Sequence, residues 1–464
     1  FAAFRKIVGV DAHGEPNGAV NEDARLSIDP HAMLNTDLAE VAKAPERVAQ
    51  RLNSVGITAI MDAMVTPDAL PVYDAMQASG GMTMHTVLAL FYDPERFRRA
   101  DGRVDFDAMV AAATKVREKY AGNPLIKADT VKLFADGVME GNPLATPPTL
   151  PNAAVLRNYL QPMFKLDQNG MPTVTGYVDT GSPVCAQARV DAARYEDPAA
   201  AASFMREHGF LPAQCQVSDG QLQHSREVIL EFARRFHLAG FNLHIHVIGD
   251  RAVRTAVDAI EQARAADGNS RTRDGLAHIQ LADPSDVARI GRDHLYVAFT
   301  YSWMTTGTGY DMTVIPFLEK VNGNSYAALH PPQGLYEKNA YPVRAVKDAG
   351  GIVAAGSDAP VETRDPRPFV NMSTAVTRSA DKAPPLNPSQ RLGILEAIDA
   401  YTINGARMLG LDKETGSIQA GKSADFIILD RDVIRLANRG KPEELAGTRL
   451  LETWFQGRQV YAAK

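Results

Sequence analysis

The sequence predicts an α/β protein built as a TIM-like (β/α)8 barrel, and three observations carry that prediction. Short apolar runs recur along the 464 residues, separated by stretches of helix length, which is the alternation of a parallel barrel. Four of those runs end on a polar residue: Lys132 in TVKLFADG, His246 in FNLHIHVIGD, His278 in GLAHIQL and Asp358 in GIVAAGSDAP. Catalytic groups of a barrel collect where its strands end, so a lysine, two histidines and an aspartate would meet there as a set able to hold divalent metal.

The elements follow in order. A helix over 44–52 leads into a strand in GITAIMDAM, a helix over 70–78 into MTMHTVLALFY, and a helix over 106–120 into the Lys132 strand. From 140 to about 220 the rhythm fails. EGNPLATPPTLPNAAV is proline-rich and KLDQNGMPTVTGYVDTGSPVCAQARV is turn-rich. A long irregular insertion directly after a strand that carries a functional candidate reads as a lid or substrate-shaping region. The alternation then resumes: EVILEFARRFHLAG precedes the His246 strand, RAVRTAVDAIEQARAA the His278 strand, and PSDVARIGR the run HLYVAFTYSWM. GIVAAGSDAP is the last barrel strand. After the helical ILEAIDAYTINGARMLG, the pattern changes to strand-like GSIQAGKSADFIILD and LLETWFQGRQVYA. The expected division is a barrel with its insertion over 1–410 and C-terminal strands over 411–464.

Composition bounds the function. With 45 % apolar residues the chain can bury a sizeable core, and a net charge of −6 without a basic run argues against nucleic acid. No run of about 18 apolar residues appears, so no membrane span is expected. The start FAAFRKIVGVD has no signal-peptide core, but compartment stays open. Cys185 and Cys215 lie in the same irregular segment and are read as two free thiols in preference to a loop-stapling disulfide.

The phrases around the four residues carry a resemblance. VDAHGEPNGAV, GITAIMDAM, VKLFADGVMEG, HVIGDRAV, AHIQLADPSDVARI, GSDAPVETRDPRPFVNMSTAVTR and GSIQAGKSADFIILD stand in the order of the amidohydrolase superfamily, and resemble its YtcJ-like branch, amidohydrolase family 3. The resemblance spans nearly the whole chain. It implies a metal-dependent hydrolase that acts on a non-peptide C–N bond, amide or formamide-like, of a small molecule through a metal-activated hydroxide. It also implies that the C-terminal strands belong to a small β-sandwich. The family's first barrel strand bears a metal-binding His-x-His pair upstream of the G-x-P-x-G phrase, so that strand is expected to be missing from this chain. His244 and His246, two apart on a strand, point to one face and could be such a pair. Only His278 and Asp358 follow in suitable context, however, so His246 is read as the fifth-strand ligand with His244 one layer deeper.

Carried over residue by residue, the resemblance implies that Lys132 bridges two metals, that His246 and His278 bind one ion, and that Asp358 ligates the other and acts as general base. An ammonium repels a divalent ion, so Lys132 fits as a ligand only as a carbamate; the alternative is an ammonium paired with Asp136 or another acid at the barrel mouth. The expected cofactor is one or two divalent ions, zinc by the ligand types. AFTYSWMTTGTGYD departs from the family's Gln-Pro phrase and puts Tyr301 and Trp303 where a pocket wall would be, or packed beneath the lid. Asp250 and Arg251 are expected to cap and anchor the next helix, and His85 to pack in the core. His13, His31, His208, His224, His237, His294 and His330 are read as ordinary. Expected partners are a small-molecule substrate and either a second copy or a separate segment that completes the barrel. The contrasting reading is a degenerate, non-catalytic barrel that serves as a binding or scaffold subunit.

Overall fold

A computed structural model describes residues 8–10, 16–20, 38–361 and 366–464; His13 and His31 lie outside the described residues. Strands β1 (Val8–Val10) and β2 (Pro16–Val20) pair antiparallel. The strands of the main sheet and of the insertion follow in chain order: β3 (Ala59–Val65), β4 (His85–Phe91), β5 (Ile126–Phe134), β6 (Pro162–Leu166), β7 (Pro172–Tyr177), β8 (Asn242–Val247) and β9 (Gly275–His278). They are followed by β10 (Tyr296–Thr300), β11 (Ile352–Gly356), β12 (Phe426–Leu429), β13 (Leu450–Phe455) and β14 (Arg458–Ala462).

The main sheet has seven parallel strands in the order β11-β10-β9-β8-β5-β4-β3. It curls as a TIM-like half-barrel, with β3 and β11 as its two edges. Each crossover is helical, as parallel pairing requires. Helix Phe106–Lys119 starts where Asp105 accepts the Ala108 amide at 3.0 Å, and helix Pro284–Arg292 where Asp283 accepts the Ser285 amide at 2.9 Å. Helix Asp250–Asp267 ends on Gly268 in the left-handed region, φ 69°.

Register separates the two faces of the sheet. Val131, Leu133, Leu243, Ile245, Val247, Leu276, Val297, Phe299 and Val353 belong to the main apolar core together with helix residues such as Phe232, Phe236, Val253 and Val257. Their alternates, among them Lys132, His244, His246, Ala277, Ala298 and Ala354, therefore face the barrel interior. The floor of that interior is apolar. Val87, Ala406, Leu409 and Leu411 cluster there with Ala59 and Met61, and the Lys127 Nζ donates to the Gly410 carbonyl at 2.8 Å.

The insertion holds more regular structure than its composition suggests. β6 and β7 form an antiparallel hairpin, and helices Pro183–Val190 and Pro198–His208 follow. Free thiols were the expectation, and the structure corrects it: Cys185 and Cys215 are disulfide-bonded with Cα atoms 4.9 Å apart. The bridge is buried with Val178, Ala188 and Phe204 in a small core of its own, which thirty residues of separation in sequence could not reveal. At the C-terminus, β12, β13 and β14 make a three-stranded antiparallel sheet; of GSIQAGKSADFIILD only FIIL is strand.

Candidate active site

The site is built from neighbouring strand ends. Lys132 stands in register with His244, and Phe134 with His246. The row of His246 continues across the sheet as Ala277, Ala298 and Ala354. Three alanines at one level leave the interior open beside the imidazole. His278 is in register with Val247, an outward-facing position. Its backbone turns left-handed there, φ 74°, and Ile279 follows at φ 45°. The turn brings the His278 ring back over the interior, 4.9 Å from the His246 ring. Such conformations cost non-glycine residues about 1–2 kcal/mol each, and more is expected for a β-branched side chain. They persist only where surroundings over-determine them.

Aromatic rings flank both imidazoles. Phe134 lies 5.0 Å from His246, with Phe91 edge-on to Phe134 at 5.6 Å, and Trp303 stacks on His278 at 4.9 Å with 13° between planes. The Lys132 Nζ sits 4.5 Å above the Phe134 ring. Tyr301 is fully buried, 6.2 Å from Tyr401. Trp303 is thus at the site, and Tyr301 behind it.

Burial governs the protonation states. It pushes Lys132 down to about 8, against the opposing field of the Asp358 carboxylate. Asp358 itself is pushed up to about 6 by burial, with the Lys132 charge holding it down. Burial, then the Lys132 charge, lowers His278 to about 3. His246 and His244 are held well below the usual imidazole range by burial and neighbouring positive charge. Both ligand candidates are therefore neutral imidazoles, the form that binds metal. His278 Nδ1 is satisfied by Thr300 Oγ1 at 2.9 Å, whereas the buried Nδ1 of His246 has only the Asp136 Oδ1 at 3.6 Å.

Asp136 does not pair with Lys132. Its buried carboxylate accepts the amides of Ala154 (3.0 Å), Ile248 (3.0 Å) and Gly249 (2.9 Å). Asp250 and Arg251 tie down the insertion: Asp250 accepts the Leu156 amide at 2.7 Å, and Arg251 donates to the carbonyls of Val155, Asp219 and Gly220. His85 packs on Phe455 and faces Asp425 at 3.5 Å. His224, His237, His294 and His330 have partners away from the site, and His208 lies against Phe204. Sequence reasoning missed Phe91, Phe134, Thr300 and Gln280. For Thr300 the signal was its place as the last residue of a strand beside the His278 strand.

Among the described residues no three His, Cys, Asp or Glu side chains gather as a metal cage; Lys132 stands outside that count. The donor chemistry nonetheless fits a divalent ion. Two neutral imidazoles face one opening, one of them with an unsatisfied buried nitrogen, next to a lysine amine and a carboxylate.

The amidohydrolase family model matches residues 5–461. The chain belongs to the amidohydrolase family. Within that family it is 26 % identical over 458 residues to an N-substituted formamide deformylase of Arthrobacter pascens, covering 96 % of this chain and 66 % of that protein. It is also 26 % identical over 254 residues to the putative amidohydrolase YtcJ of Bacillus subtilis (strain 168), covering 53 % of this chain and 42 % of that one. The chain thus spans less than two thirds of these relatives' lengths. In fold it resembles metal-dependent hydrolases from Pyrococcus furiosus (TM-score 0.57, 18 % identity, 90 % of this chain and 65 % of that one) and Pyrococcus horikoshii OT3 (TM-score 0.56, 16 % identity, 93 % and 68 %). No helix among the described residues is long and apolar enough to cross a membrane.

Proposed function

We propose that this amidohydrolase is a metal-dependent hydrolase of a non-peptide C–N bond, amide or formamide-like, in a small molecule. The observation that carries the reading is the pair of neutral imidazoles, His246 and His278, facing each other 4.9 Å apart over an interior lined by alanines. His246, His278 and Asp358 would hold one or two divalent ions, zinc by the ligand types, with Lys132 joining as a carbamate. A bound ion supplies Lewis acidity: it polarises the scissile carbonyl and lowers the pKa of water towards about 7.

The remaining work falls to the chain. Asp358, at about 6, is mostly ionised at neutral pH and can still be protonated, as a general base must be. It takes the proton of the attacking water and delivers it to the leaving amine. Phe134 and Trp303, with Phe91 and Tyr301 behind them, wall the pocket and favour an apolar substituent on nitrogen. That choice agrees with the name of the Arthrobacter relative. The insertion excludes bulk water. The same reading divides the chain into a barrel with its insertion over 1–410 and the C-terminal strands over 411–464.

Metal content by plasma mass spectrometry tests the proposal, followed by a screen of N-substituted formamides and amides. One to two ions per chain, lost in His246→Ala, with hydrolysis abolished in Asp358→Asn, is the expected result. No bound metal and no turnover would overturn it and favour the scaffold reading.

A further inference from the structure

The left-handed turn at His278 and Ile279 needs an external restraint, and the structure supplies one in Gln280. This side chain is buried, and its Nε2 donates to two hydroxyls, Tyr310 at 3.0 Å and Tyr336 at 3.1 Å. The Gln280 backbone carbonyl accepts the Tyr341 amide at 3.0 Å. On either side, the Ile279 amide reaches the Val247 carbonyl at 3.0 Å and the Leu281 amide the Ile248 carbonyl at 2.9 Å. The backbone bonds tie the turn to the His246 strand and its exit. The amide of Gln280 ties it to two helices, Thr308–Leu318 and Leu335–Asn339. Tyr310 in turn interacts with Glu140, at the root of the insertion.

We propose that Gln280 is a positioning residue: by bridging the Tyr310 and Tyr336 hydroxyls it locks the turn that swings the His278 imidazole into the barrel. Strand alternation alone would send that side chain towards the outer face, since its register partner Val247 is core on the helix side. Two successive non-glycine residues at positive φ relax readily unless pinned. Backbone bonds fix the path of the chain, but the paired tyrosines fix its rotation about that path. The importance of the ring's aim rests on the reading of His278 as a metal ligand.

Gln280→Met keeps length and volume and removes both donated bonds. Cobalt(II) is the probe, with its visible absorption and its dissociation constant measured by chelator competition on the full chain. The expected result is a 10- to 100-fold weaker cobalt site, the usual loss when a ligand's supporting partner is removed, with an altered spectrum and an unchanged far-ultraviolet circular dichroism spectrum. In the metal-free protein, amide exchange at Ile279 and Leu281 should rise. Tyr336→Phe, which retains Gln280, should show a smaller change of the same kind and carries the test if Gln280→Met does not fold. If wild type binds cobalt and both Gln280→Met and Tyr336→Phe bind it with the same constant and spectrum, the positioning role is refuted while the hydrolase reading stands. If wild type binds no cobalt, the hydrolase reading falls; unchanged exchange at Ile279 in Gln280→Met would then refute the clamp independently.

Discussion

Lys132 offers the sharpest test of the chemistry, because its modification depends on a quantity the structure sets. Carbon dioxide reacts with a free amine: nitrogen attacks the carbon, a proton leaves, and a carbamate anion results. An ordinary lysine near 10.5 is free amine in only about three molecules in ten thousand at pH 7. With Lys132 brought down to about 8 by burial, roughly one molecule in ten is free amine at that pH. The reactive fraction is thus about 300 times that of an exposed lysine. The assay is carbon-13 NMR of the metal-free protein in labelled bicarbonate, at fixed dissolved carbon dioxide, across a pH series. A carbamate resonance should appear, rise most steeply near pH 8, and be absent from Lys132→Met. Asp358 opposes the downward shift, so Asp358→Asn should move the midpoint lower. A signal that is absent from wild type, persists in Lys132→Met, or rises only near the ordinary lysine value would refute the reasoning and leave Lys132 as a structural ammonium.

Three further outcomes are expected. His330 is buried between Asp311 (3.0 Å) and Glu337 (3.1 Å); burial lowers its pKa, but these partners overcome that and raise it from 6.5 to about 9. Its stabilising contribution, of order 3 kcal/mol, is therefore complete below about pH 6.5 and lost as pH rises through about 9; urea unfolding should show that loss in wild type and not in His330→Gln. Opening the Cys185–Cys215 bridge, with its separation of 30 residues, should loosen the insertion by roughly 3–4 kcal/mol on the loop-entropy estimate, seen as faster amide exchange between 178 and 215 in the double serine variant. In Gly249→Ala the new Cβ would stand 2.0 Å from the Ala154 carbonyl oxygen, so the insertion must move away from the exit of β8. A fall in thermal stability worth about 1–3 kcal/mol is expected, and an unchanged melting temperature would contradict that close approach.

What could be read from the sequence was periodic or local. The helices over 70–78 and 106–120 and the strand ends at Lys132, His246 and His278 follow from alternation and caps, and the structure places them within a residue or two. What could not be read depends on encounters between distant segments. The hairpin of β6 and β7 is built from turn-rich sequence whose pairing is decided by packing. The disulfide joins two cysteines that only the folded insertion brings together. His278 is the instructive case: its spacing within the strand would turn it outward, and a β-branched neighbour at positive φ is the opposite of what local preference predicts.

That misfit between local preference and final geometry sits where the chemistry is proposed, and the surrounding bonds show why it is tolerated. Both ends of the insertion close on the exits of β5 and β8: Val155 donates to the Asp219 carbonyl at 2.9 Å and Gln221 to the Asn152 carbonyl at 3.0 Å. Asp136, at the exit of β5, accepts an amide from the insertion and two from the exit of β8 with a single carboxylate. Gly220 and Gly249 leave no room there for a Cβ, which would meet the backbone of Ala153 and Ala154. The root of the insertion is consequently part of the scaffold that aims His246, and cannot swing without disturbing it. On the proposed reading, any movement of the insertion around a substrate is confined to its outer part, the hairpin and helices that carry their own small disulfide-bonded core. On this arrangement the insertion can adapt to a substrate at its tip while its root keeps the two imidazoles in place.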